Sequence, residues 1–429
     1  MIAAQEIFDS IVDYLHDDKD ALRSCSLVSK SLLDASYHHL FGNLEVKITD
    51  NLTTRTTKRQ CQLWDEFFTF ITSNARAVKY IRQLCIDMVD APSILEYEPK
   101  SYKDFPAVPV QHIVHILDHA PSLRHLNLYH LHIIPKPINA EEENQDANVH
   151  RLRSLALCWC VFDDISLNLP DFLRVTNACK VTLHHIRCAT LASQNNPYGG
   201  PPSLSPSPPS HQDILPNYTL HIQCLQIIGA CRLFHYTRDD EELLSAIPSL
   251  MSRIYSSLRE FTLVGASWHG PKDFRTVSRY FSLQKAHKLQ SAVIFCALDG
   301  YSNTPRSVFE TWDPYVSFLS SLPPSTEHIR IDVFPINQTN IVLPDITVSR
   351  NLLLHFPSLR PFTLRCALNG LESGDESVGT ISSQGTGVDK DNIMRVEYCR
   401  FETLYHDLGA QVDFDHVDRF NNPDDTSWA

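Results

Sequence analysis

LRHLNLYHL, residues 123–131, and LRSLALCWC, residues 152–160, place apolar side chains at one spacing, apolar-x-x-apolar-x-apolar, and that spacing decides the fold. In Leu126-Asn127-Leu128 the pattern alternates, as a short strand does when one face packs inward and the other meets water. Outward along the chain the spacing returns as Ile81, Leu84, Ile86; Ala178, Val181, Leu183; Ile222, Leu225, Ile227; and Leu258, Phe261, Leu263. It continues as Leu289, Ala292, Ile294; Thr326, Ile329, Ile331; Leu359, Phe362, Leu364; and Ile393, Val396, Tyr398, with Phe41, Leu44 and Val46 as a first member. Helical stretches precede several of these strands, as in VQHIVHILDHAPSLRHLNL and LLSAIPSLMSRIYSSLREFTL, with Pro near the turn.

A helix, a turn and a parallel strand, repeated many times, predict an α/β chain whose units stack as an irregular leucine-rich-repeat solenoid. The units start 26 to 44 residues apart, longer than the usual repeat. After the strands, where such repeats carry Asn or Cys, stand Leu131, Cys160, Ile186, Ala230, Ala266, Ala297, Phe334, Ala367 and Phe401, so only Cys160 fits. The rival expectation is an ordinary α/β domain whose buried strands share a period. The solenoid is placed at 43–412, with disordered insertions at 192–213 and 372–391 and an acidic tail at 413–429. Ser205 and Ser207 each precede Pro, which makes them candidates for a proline-directed kinase.

The first 42 residues read differently. Ile7, Phe8, Ile11, Val12 and Leu15 form one broad apolar helical face, and Asp18 or Asp20 is placed to cap a second helix carrying Leu22, Cys25, Leu27 and Val28. A third helix is predicted from about Ser31 to Phe41. Three short helices bury too little surface to stand alone, so part of their apolar face is expected to rest on a partner or on the next domain.

The segment EIFDSIVDYLHDDKDALRSCSLVSKSLLDASYHHLF, residues 6–41, resembles the F-box motif in the form common among fungal F-box-like proteins. The resemblance implies docking onto a Skp-type adaptor, and through it onto a cullin scaffold, as the substrate-recognition subunit of an SCF-type ubiquitin ligase. Carried over by position, the adaptor-binding residues are Ile7, Ile11, Leu15, Leu22, Leu27, Val28 and Leu32. The family usually has a Leu-Pro pair where Ala3 and Ala4 stand, and Trp where Leu32 stands. A protein substrate would then meet outward strand positions such as His125, Asn127, Tyr129, Thr262 and Arg330. The alternative is a repeat scaffold with no link to ubiquitin transfer, its N-terminal helices serving as a cap.

Composition narrows the rest. A formal net charge of −13 works against a nucleic-acid or anionic-membrane partner. The N-terminus carries neither a basic leader nor a continuous apolar core, so a cytoplasmic or nuclear protein is expected. Twelve scattered cysteines without a CxxC predict reduced, buried thiols. No enzyme is expected and no cofactor. In QHIVHILDH, His112, His115 and His119 have a spacing compatible with a metal, but Ile116 stands where the catalytic zinc motif needs Glu. In GASWHG, His269 stands where a nucleophile elbow needs Gly after Ser267. Neither GxGxxG nor GxxxxGK[ST] occurs to hold a nucleotide.

Overall fold

The computed structural model describes residues 2–47, 57–88, 105–135, 152–189, 218–228, 238–264, 280–281, 283–298, 315, 317–335, 356, 363–366 and 411–413. Two compact units divide the chain: Met1–Ala230 with Tyr236–Ser257, and Cys231–His235 with Leu258–Ala429.

Three helices open the first unit: α1 (Ile2–Tyr14), α2 (Lys19–Val28) and α3 (Lys30–Phe41). Of the two candidate caps for α2 it is Asp18 that serves, its carboxylate accepting the Asp20 and Ala21 N–H groups at 3.1 and 2.9 Å. Ser29 caps α3 in the same way, accepting from Leu32 N–H at 3.2 Å. Val12 and Leu22 are fully buried, and His39 Nε2 donates to Asp13 Oδ1 at 2.8 Å, tying α3 to α1. Gly42 then turns the chain from α3 into β1 (Asn43–Lys47); a Cβ there would meet the His38 carbonyl oxygen at 2.5 Å, which excludes a larger residue without a shift.

Beyond β1 the unit continues as α4 (Thr57–Ser73), α5 (Ala75–Val78), β2 (Gln83–Asp87), β3 (Ala107–Pro109), α6 (Val110–His119), β4 (His125–Tyr129) and β5 (His132–Ile134). It ends with β6 (Ser154–Cys158), β7 (Val161–Phe162), α7 (Ile165–Thr176), β8 (Lys180–His184), β9 (Arg187–Cys188), β10 (Cys224–Ile228) and α8 (Arg238–Ile254). The six quoted triplets of this unit each end in one strand of a parallel run, ordered β1-β2-β4-β6-β8-β10. Leu44, Leu84, Leu126, Leu155, Val181 and Leu225 stand in register across it. From β2 to β10 both inward positions of every strand are buried, at about 1.5 to 3 kcal/mol for each large side chain. The first triplet members Ile81, Leu123, Leu152, Ala178 and Ile222 are buried as well.

A second, smaller parallel sheet, β3-β5-β7-β9, was not foreseen, because strands of two or three residues are too short for alternation to show. Leu131, Cys160 and Ile186, the positions after β4, β6 and β8, are buried between the two sets of strands in sequence. Cys160 Sγ–H donates to the Leu128 carbonyl at 3.4 Å, so here a thiol holds a backbone oxygen inside the turn. On the helical side α4 packs on α6, α6 on α7 and α7 on α8. Helix α7 carries Pro170 in its interior, where a proline usually breaks a helix, yet Ile165, Leu169, Phe172, Leu173 and Thr176 bury one helical face around it. Asp164 caps its start, accepting from Leu167 N–H at 3.2 Å, and Asn177 ends it in the left-handed region at φ 41°.

In the second unit β11 (Glu260–Val264), β12 (Ser291–Leu298), β13 (His328–Pro335), β14 (Thr363–Cys366) and β15 (Gln411–Asp413) pair in parallel and in chain order. Phe261, Phe281 and Phe318 form its aromatic core. Thr326, the one polar residue among the first triplet positions, is buried and satisfied, its hydroxyl donating to the Pro323 carbonyl at 2.8 Å. The triplet at Ile393, Val396 and Tyr398 lies outside the described residues; the strand beside β14 is β15, and Asp413, assigned to the tail, belongs to it. The insertions at 192–213 and 372–391, with Ser205 and Ser207, and the rest of the tail also lie outside the described residues.

Candidate docking and recognition surfaces

On α1 the three helices leave an apolar stripe uncovered. Ile7 is 59% exposed, Ile11 48% and Tyr14 87%, while Val12 on the opposite side is fully buried. One residue per turn explains the arrangement, since positions i, i+4 and i+7 share a helix face. Glu6, Ile7, Ser10, Ile11, Tyr14 and Leu15 line one open groove of about 640 Å³. Leu27 and Val28 are exposed at the end of α2 and do not line that groove. Leu32 is partly buried. Leu22 corrects the sequence expectation: it is fully buried, so it packs the three helices together and offers no surface to a partner.

His125, Asn127 and Tyr129 occupy the outward positions of β4, each partly buried. They lie in register with Ser154, Ala156 and Cys158 on β6 and with Lys180, Thr182 and His184 on β8, forming the outward, partly buried face of these strands, with Cys158 buried. Thr262 and Arg330 hold comparable positions on β11 and β13 of the second unit. The predicted recognition residues therefore fall into two groups, three in one unit and two in the other.

At the C-terminal ends of β4, β6 and β8 the sequence hid a further cluster. His130, Trp159 and His185 follow these strands at equivalent positions and all have positive φ, 54°, 57° and 52°. A bulky residue there costs of order 1 kcal/mol or more, so the surroundings must hold it. Backbone bonds do so, from His130 N–H to Cys158 O at 3.1 Å and from Trp159 N–H to His184 O at 2.8 Å. The rings stack as well: Trp159 lies 3.9 Å from His185 and 6.3 Å from His130, nearly parallel to both. His130 Nδ1 and Asp87 Oδ1 are 2.9 Å apart. His130 and Trp159 are buried and His185 is partly buried, so the row closes the ends of β4 and β6.

Electrostatics on this face follow burial. Desolvation, with His130 nearby, pushes the His184 imidazole down to about 4. Desolvation lifts the Cys160 thiol to about 12 and Cys158 higher still, which leaves both unreactive at neutral pH. His125 Nδ1 lies 2.7 Å from Ser154 Oγ, the distance of a base and a nucleophile. No carboxylate orients His125 among the described residues, and burial, Arg153 and Lys180 hold its proton affinity down, so the pair lacks the third member that activation requires.

Nor do the α6 histidines converge. His112 Nδ1 accepts the Trp64 indole N–H at 2.9 Å, which puts the proton of the neutral ring on Nε2 and leaves no free lone pair. His119 Nδ1 donates to the His115 carbonyl at 2.8 Å. Among the described residues no group of three His, Cys, Asp or Glu side chains is placed to hold a metal ion, and no helix is long and apolar enough to cross a membrane.

The fold is thus that of an α/β protein built from parallel strands and helices. Beyond that class, no protein-family model matches the chain and no curated protein matches it.

Proposed function

We propose that the chain is an F-box-like substrate receptor. Its N-terminal helices dock a Skp-type adaptor, which joins a cullin scaffold, and an irregular leucine-rich-repeat solenoid holds a protein substrate near a ubiquitin-conjugating enzyme. The receptor performs no bond chemistry; it raises the effective concentration of a substrate lysine beside activated ubiquitin. The observation that carries this reading is the uncovered apolar stripe of α1, Ile7, Ile11 and Tyr14, on a helix whose other side is packed. Side chains of that size left in water are retained where a partner covers them.

The test is capture of the adaptor by the full chain and by an Ile7→Asp/Ile11→Asp variant. Both positions are exposed, so the variant keeps its fold. Capture by the wild type that the variant loses supports the receptor; no capture by folded wild type leaves the second reading, a repeat scaffold outside ubiquitin transfer. Ala3, Ala4 and Leu32 favour that second reading, because each stands where the family places a larger contact residue.

A further inference from the structure

Four cations begin four adjacent parallel strands of the first unit. Arg82, Arg124 and Arg153 hold equivalent positions, one residue before β2, β4 and β6; Lys180, the first residue of β8, stands one position further along, in register with His125 and Ser154. Backbone bonds link them in order: Arg124 N–H to Arg82 O at 2.8 Å, Arg153 N–H to Arg124 O at 2.7 Å, and Lys180 N–H to Arg153 O at 3.0 Å. With neighbouring strands about 4.8 Å apart, the row is about 14 Å long. The three arginines are exposed and Lys180 is partly buried. Among the described residues none of the four takes part in an ion pair.

Among the described residues no carboxylate pairs with this row. His125, beside it, is held below its ordinary range by burial and then by Arg153 and Lys180; His38 is lowered by burial and then by Arg82. Like charges at this spacing repel, and an anion laid along them relieves the repulsion. Because the chain as a whole carries −13, a long polyanion reaching past the row meets net repulsion, whereas a short acidic segment does not. An extended peptide rises about 3.4 Å per residue with alternate side chains on one face, so about five residues, three of them acidic, cover the row.

We propose that Arg82, Arg124, Arg153 and Lys180 form a docking site for a short acidic segment of a protein partner, bearing Asp and Glu carboxylates or phosphoserine. The site rests on the reading of this unit as a protein-recognition surface and is independent of adaptor docking. Arg supplies bidentate donors to carboxylate and phosphate alike, so both arms of the test are oxyanions that the same guanidinium groups can hold.

Fluorescence anisotropy with the full chain tests it, using labelled ten-residue peptides in which Gly alternates with Glu, with phosphoserine or with Gln, and a ten-nucleotide single-stranded DNA. At least one acidic peptide is expected to bind at least tenfold more tightly than the Gln peptide, and the tighter arm identifies the anion. Arg124→Glu/Arg153→Glu is expected to weaken that binding at least 30-fold, Arg124→Gln/Arg153→Gln at least fivefold, and Arg124→Lys/Arg153→Lys no more than threefold. Bound peptide also raises the His125 titration midpoint, read by NMR. Equal binding of acidic and Gln peptides, unchanged binding by a folded Gln or Glu variant, or tighter binding of the oligonucleotide than of either acidic peptide overturns the proposal. Adaptor capture by the Arg124→Gln/Arg153→Gln variant is expected to stay at the wild-type level, so failure here and failure of adaptor docking are told apart.

Discussion

Acidification from pH 7.5 to pH 5 is expected to destabilise the first unit through His184. Its ring is desolvated at the end of β8 beside His185 and Trp159, and its proton affinity falls from an ordinary 6.5 to about 4. The sign follows from proton counting. Between these two values the unfolded chain binds a proton at His184 that the folded chain does not, so stability is full above about 6.5 and is lost as pH falls towards 4. At pH 5 the unfolded ring is almost wholly protonated and the folded ring almost wholly neutral, which amounts to about 2 kcal/mol. Burial also lowers His38, His112 and His125, so the wild-type slope contains more than one group. His184→Gln isolates the one of interest, because it removes the titration and keeps the backbone carbonyl that accepts Trp159 N–H. Urea unfolding of both proteins at pH 7.5 and pH 5 gives the comparison: the variant is expected to lose about 2 kcal/mol less than the wild type over that interval. Parallel loss in the two proteins would refute the reasoning.

Other outcomes follow from packing, capping and thiol burial. Leu155→Ala, in the centre of the buried row between Leu126 and Val181, is expected to cost about 2 to 5 kcal/mol in urea unfolding, against less than about 0.5 for the outward Ala156→Ser; equal effects would contradict the assigned faces. Asp164→Ala removes the cap of α7 and is expected to cost about 1 kcal/mol, while Asn177→Gly at its left-handed end leaves thermal stability unchanged or raises it. Native alkylation followed by mass spectrometry is expected to modify the partly exposed Cys25 and to spare Cys158 and Cys160 until the protein is unfolded; fast modification of Cys160 would contradict its burial.

How much of this was legible in the sequence depended on length and on repetition. The triplets located β1, β2, β4, β6, β8 and β10 because the inward pair of each strand is apolar, and from β2 onward buried, so the solvent contrast is written directly into residues such as Leu126 and Leu128. The small sheet was illegible: Val161–Phe162 and Arg187–Cys188 have no room for a period. Helix α7 was hidden by Pro170, whose cost is offset by burial of the face around it. On α1 the period gave the apolar face correctly, but a period cannot say which of two helices covers which side chain, and Leu22 turned inward. The stacked His130, Trp159 and His185 carried a signal in their equal offset from three triplets, and so did Arg82, Arg124 and Arg153. Both signals lie in polar residues that repeat beside the apolar ones and so stand outside the hydrophobic period.

Adaptor capture by the full chain tests the central claim most directly, measured by isothermal titration with purified Skp-type adaptor for the wild type and for Ile7→Asp/Ile11→Asp. The account predicts saturable binding by the wild type and at least a 100-fold weaker affinity for the variant, with the circular dichroism of the two proteins unchanged. Equal affinities, or no heat of binding from a folded wild type, would contradict it.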